Sequence, residues 1–162
     1  MGQIQRIQSV YLFIAAVLCG LTFLFDLYEA SAVSGAVEVV VATTATVARL
    51  AGGEVQKTPH YGLIAVAAFN TVFPILIVFF YNNRMLQVKL SSLAMVLFIA
   101  QVGLSFYRIN DAQSGVLGSI TEMDHVYLPG YFFPLGAILM LILARRSIMK
   151  DEKLVRSANR LR

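Results

Sequence analysis

Residues 61–81, YGLIAVAAFNTVFPILIVFFY, decide the fold class. The run carries no charged side chain and is about the length that crosses a bilayer as a helix. Three further apolar runs lie around it, over 10–27, 90–107 and 126–144. The sequence therefore predicts an all-α membrane protein: a four-transmembrane-helix bundle, one domain over 1–162.

Composition points the same way. Of 162 residues, 58% are hydrophobic and 14% charged, and mean hydropathy is +0.73. A soluble domain carries about 25% charged residues. The net charge of +4 is too small and too localised to suggest nucleic-acid binding. Cys19 is the only cysteine, which excludes an intramolecular disulfide and any thiol–disulfide enzyme that needs a cysteine pair.

Charge orients the runs. The tail over 145–162 holds Arg145, Arg146, Lys150, Lys153, Arg156, Arg160 and Arg162, seven of the thirteen Lys and Arg, against Asp151 and Glu152. Translocating that charge is disfavoured, so the tail is expected in the cytoplasm. With both termini inside, Arg6, Arg84 and Lys89 join it, and only Arg49, Lys57 and Arg108 fall outside. Seven of the nine acids fall outside, from Asp26 and Glu29 to Glu122 and Asp124. Tyr28, Tyr61, Tyr81, Tyr107 and Tyr127 sit near run ends, as interfacial anchors do. A cleaved leader competes for the first run, with Arg6 ahead of it and Ala30-Ser31-Ala32 as a small-residue site. The length of the run and the acids after it favour a retained span. A lipoprotein is disfavoured by Leu18 before Cys19, where a small residue is expected.

The outer segment 29–59 is rich in Val and Thr over 36–50, then turns at Gly52-Gly53. It reads as a small β-hairpin cap, with an irregular loop as the alternative. Residues 108–124 read as a second, polar outer loop.

Inside the runs, Thr22, Asn70, Thr71 and Gln101 are the polar candidates. At 1.5 Å per residue from the nearest run end, Asn70 lies about 13 Å deep, and Thr22 and Gln101 about 9 Å. Pro74 lacks the N–H that would bond the Asn70 carbonyl, so a kinked helix with a polar notch is expected there. The notch is a candidate small-molecule or lipid pocket. Interhelical hydrogen bonding that fixes packing is the favoured reading, since transport paths usually carry buried ionisable groups. His60 and His125, with Glu122 and Asp124 nearby, fit no metal-binding spacing, and neither metal nor cofactor is expected.

At the inner side, Arg6 is a candidate partner for Asp151 or Glu152, tying the amino terminus to the tail. Glu152 and Arg156 stand i, i+4, which supports a helix running past the membrane. With Ile148, Leu154, Val155, Ala158 and Leu161 among its charges, the tail reads as amphipathic. It suits anionic lipid, a membrane or cytoplasmic protein partner, or topology alone.

Two stretches resemble a known family. The opening GQIQRIQSVYLFIAAVL (2–18) and the ending RRSIMKDEKLVRSANRLR (145–162), with its DEKLVRS core, are similar to the ends of small Bacteroidota membrane proteins called domain of unknown function 4293. The resemblance implies the membrane fold and an inner-membrane location, and brings no active site. No nucleophile stands beside a base, so no enzyme is expected. The leading expectation is a non-enzymatic accessory or scaffold protein; the alternative is a binding or transport protein using the notch.

Overall fold

The computed structural model describes residues 2–32, 37–50, 52–81, 83–116 and 123–160, with side chains over 7–32, 37–50, 52–81, 83–115 and 124–153. In chain order come α1 (Gly2–Leu21), β1 (Tyr28–Ala32), β2 (Val37–Val41), β3 (Ala45–Leu50), β4 (Val55–Pro59), α2 (Tyr61–Phe79), α3 (Arg84–Val116), β5 (Met123–Tyr127) and α4 (Pro129–Arg160). The helices form one layer, in which α1 packs on α2 and α4, and α3 on α2 and α4. The strands form a second layer across one end.

The all-α expectation is corrected. The five strands make one antiparallel sheet in the order β4-β3-β2-β1-β5. The predicted hairpin is present as β3–β4. Gly53 has φ +78 in its turn, a left-handed conformation that glycine adopts without steric cost. That hairpin is less than half of the sheet. The other edge, β5, takes its first residues from the stretch read as a second loop and its last, Val126 and Tyr127, from the start of the run read as the fourth span, and pairs Tyr127 with Tyr28.

The run over 10–27 is corrected as well. Helix α1 stops at Leu21, and the chain tightens into turns with N–H bonds three residues back, from Thr22 to Cys19 and from Phe23 to Gly20. It then joins the sheet: Leu27 N–H donates to the Val41 carbonyl, and the Leu27 carbonyl accepts from Leu128 N–H. Three helices are long and apolar enough to cross a membrane, Tyr61–Phe79, Arg84–Gly115 and Pro129–Lys153; the apolar part of α1, Ile7–Leu21, is shorter.

The helical layer buries several polar side chains within its apolar core and turns large apolar ones outward. Asn70, Gln87, Ser91, Gln101 and Ser105 are buried, while Phe69, Val96 and Leu139 are 51%, 61% and 59% exposed. Water would penalise that arrangement, whereas lipid suits it. One apolar core lies between α1, α2, α3 and α4 around Leu12, Phe98 and Leu141. A second lies under the sheet, where Tyr28, Val39, Val41 and Ala48 meet Leu63 of α2 and Ile109 of α3. Tyr28 therefore belongs to a core and is not an interfacial anchor: it is 1% exposed, and its hydroxyl accepts from Gln113 Nε2 at 2.7 Å. The opposite sheet face mixes valines with charged side chains, with Arg49 Nη1 donating to Glu38 Oε2 at 3.0 Å across the register pair Glu38↔Arg49.

Candidate functional site

Three places gather polar side chains, and the first is the predicted notch. Facing α2 and α3 bring Asn70 and Gln101 together, and Asn70 Nδ2 donates to Gln101 Oε1 at 2.8 Å and to the Leu97 carbonyl at 3.1 Å. Cys19 of α1 completes the group. Its thiol lies 3.4 Å from Gln101 Oε1 and 3.5 Å from the Ala67 carbonyl. Sequence reasoning missed this role, because a lone cysteine there signals only disulfide or lipoprotein chemistry. The two donor contacts also fix the Asn70 amide: turned over, its oxygen would face two acceptors. As placed, Asn70 Oδ1 is buried without a partner.

Of the other notch residues, Thr71 adjoins this contact through the Ala67 carbonyl, which the Cys19 thiol also approaches. Thr71 returns its hydroxyl to the Ala67 carbonyl of its own helix at 2.8 Å. Thr22 bonds the Cys19 carbonyl at 2.6 Å, and its own carbonyl accepts from Thr43 Oγ1 at 2.7 Å, so it fastens the end of α1 to the sheet. Pro74 is buried, and α2 continues through it. The cluster holds amides, hydroxyls and a thiol, and its central side chains, Asn70, Gln101 and Cys19, are at most 1% exposed.

The second place is a polar cleft of about 240 Å³ between the β3–β4 edge and the last turns of α3, lined by Thr46, Gln56, Thr58, His60 and Asp111. The register puts Thr46 opposite Thr58 and Ala48 opposite Gln56, so alternation turns Thr46, Gln56 and Thr58 toward the helices. His60, 1% exposed, forms the floor, with Nε2 3.0 Å from Thr46 Oγ1. Burial pushes the His60 pKa down and Arg108 adds to this, while the Ala42 carbonyl and Asp111 act in the opposite sense. The ring is thus held neutral. Asp111 is exposed, 3.7 Å from Arg108.

The sheet separates the two histidines. His60 follows β4 at one edge and His125 lies in β5 at the other, with β3, β2 and β1 between them. Glu122 lies outside the described residues. Among those described, no three His, Cys, Asp or Glu side chains are grouped to hold a metal ion.

The third place is the tail end. Asp151 is buried, and its Oδ2 lies 3.0 Å from Arg84 Nη1, at the start of α3. That nitrogen meets no acceptor in good hydrogen-bond alignment, so the contact is one of charge. The Arg6 side chain, the expected partner, lies outside the described residues, as do those of Arg156 and Arg160. The backbone of α4 does continue through Arg160, a helix running past the apolar segment as the i, i+4 spacing suggested. Arg145, Arg146, Lys150 and Lys153 are exposed. Arg145, Met149, Glu152 and Lys153 line a cleft of about 240 Å³ with Met85 and Val88 of α3.

The ends that carry the resemblance lie within a longer match. The chain belongs to the family described as Domain of unknown function (DUF4293), matched over residues 4–161. No curated protein matches it.

Proposed function

We propose that this is a non-enzymatic accessory or scaffold protein of a bacterial inner membrane, with the sheet outside and the basic tail in the cytoplasm. The observation that carries the reading is the continuity of β5 and α4. Strand β5 is an edge of the sheet, exposed over 124–127, with one side of its backbone available to a further strand. After Leu128 the chain enters α4, which runs 32 residues without interruption to Arg160. At 1.5 Å per residue that is about 48 Å, against a hydrocarbon core of about 30 Å. One continuous helix thus links a sheet-edge strand to a basic helical tail. This suits a subunit that holds partners, and the charge asymmetry supplies its orientation.

Binding or transport through the notch has one observation in its favour, the unpartnered Oδ1 of Asn70. Against it, the Asn70, Gln101 and Cys19 side chains are sealed, so a ligand would need α1, α2 and α3 to part.

The test is purification from native membranes in mild detergent, with the full chain compared with a chain ending at Ala144. A stoichiometric partner lost on truncation supports the scaffold reading. A full chain that elutes folded and alone counts against it. A discrete small molecule lost in Asn70→Leu would move the assignment to the notch.

A further inference from the structure

We infer that the tail-end cleft between α3 and α4 seats an acidic phospholipid, with its phosphate held by Arg145 and Lys153 and an acyl chain lying on Met85, Val88 and Met149. Arg145, Met149 and Lys153 stand at i, i+4 and i+8 of α4, on one face. Their backbone positions are thus about 12 Å apart along the helix and bracket the methionine, a gap that two long side chains can close onto one phosphate. Across the cleft, Met85 and Val88 lie on the first turns of α3. The Arg84–Asp151 contact sets the register of the two helices here, which holds the walls together.

The chemistry of the cleft selects the ligand. Its floor is apolar yet open, with Met85 48% and Met149 40% exposed. Its rim is net positive: two cations stand against Glu152, which already has an interaction of its own. An apolar floor alone would suit any acyl chain, and a basic rim alone any anion. Together, where two apolar helices leave the membrane, they match a headgroup phosphate with its chain attached. The cleft of about 240 Å³ is a slot for part of one such molecule. The inference rests on the membrane placement proposed above and not on a protein partner, so a failed partner purification leaves it standing.

The test uses the full-length protein in nanodiscs of equal parts phosphatidylglycerol and phosphatidylcholine, released into the gas phase for native mass spectrometry. The wild type is expected to retain one phosphatidylglycerol in preference to phosphatidylcholine. Arg145→Gln with Lys153→Gln should weaken that retention by about thirtyfold, taking the general surface contribution of two basic residues. Met149→Gln, which leaves the charge unchanged, should weaken it too, which a purely ionic site would not predict. Arg49→Gln with Lys57→Gln removes the same charge from the sheet end and should change nothing. Equal retention of both lipids by the wild type overturns the proposal, as does unchanged retention in the tail-end double variant. Displacement by soluble glycerol phosphate as effective as by the lipid also overturns it, since that would make the cleft a simple anion site. Should the double variant fail to fold, the wild-type comparison of the two lipids and glycerol phosphate decides alone.

Discussion

Asn70 and Gln101 face each other across α2 and α3, with Asn70 Nδ2 2.8 Å from Gln101 Oε1. The thiol of Cys19 reaches the same oxygen from α1 at 3.4 Å, so one side-chain carbonyl ties three helices. In an apolar surround these contacts set helix rotation, because the buried amides find few other partners there.

Asn70→Leu is expected to lower stability by about 1 kcal/mol, the usual scale for such bonds in membranes. The loss is limited because the substitution also removes the unpartnered Oδ1. Asn70→Asp should cost more, since it sets a second acceptor against Gln101 Oε1 and the Leu97 carbonyl. Thermal unfolding in detergent ranks the two. An aspartate variant as stable as the leucine one would mean that the amide donors carry no weight.

Gly130 has no room for a side chain. A Cβ there would lie 2.5 Å from the carbonyl oxygens of Phe25 and Asp26, where the segment between α1 and β1 crosses the entry to α4. Gly130 N–H also donates to the Asp26 carbonyl at 3.1 Å. Gly130→Ala should destabilise by about 2 kcal/mol or more, because backbone must move. Gly62→Ala and Gly103→Ala, which open into free space on α2 and α3, should be neutral or slightly stabilising. Detergent melting curves of the three variants test the contrast.

Arg84 and Asp151 form a largely covered charge contact, with side chains 24% and 11% exposed. Removing either charge alone, by Arg84→Gln or Asp151→Asn, should cost about 1–2 kcal/mol, between the values for surface and buried pairs. The double variant should cost less than the sum. A double-mutant cycle with additive losses would show that the contact contributes nothing.

His60 makes the sheet end sensitive to acid. Its folded-state pKa lies below the ordinary imidazole value, chiefly through burial. The unfolded chain therefore binds the proton more readily, and stability rises with pH in this window. The contribution is complete above about pH 6.5 and is lost as pH falls toward the depressed folded value. Hydrogen exchange over β3 and β4 should speed up on acidification within that range. His60→Gln should flatten the pH dependence even if it lowers stability overall. An unchanged slope in that variant would place the sensitive group elsewhere.

The features legible along the chain were those that depend on near neighbours. The charge-free run at 61–81 does contain a helix, Tyr61–Phe79, and the Gly52-Gly53 pair does turn β3 into β4. The polar residues at 70 and 101 were visible as candidates, but their meeting was not. Helix α2 is apolar on every side, so no amphipathic stripe shows which face turns inward. From the sequence Arg84 reads only as an inner-side charge, and its partner lies 67 positions along the chain at Asp151.

By itself the sequence determined the helix-forming apolar runs, the charge asymmetry between their ends and the strand tendency of the Val-rich segment. Each is a sum over adjacent residues, readable from hydropathy and propensity. Tertiary structure decided that five strands join in one sheet, with Tyr28 of β1 beside Tyr127 of β5. It also decided that Tyr28 is buried, that His60 and His125 stand at opposite edges, and that Cys19 joins Asn70 and Gln101. Those outcomes depend on which backbone edges and helix faces meet. Meetings between residues so far apart in sequence arise from packing the whole chain and leave no local pattern to read.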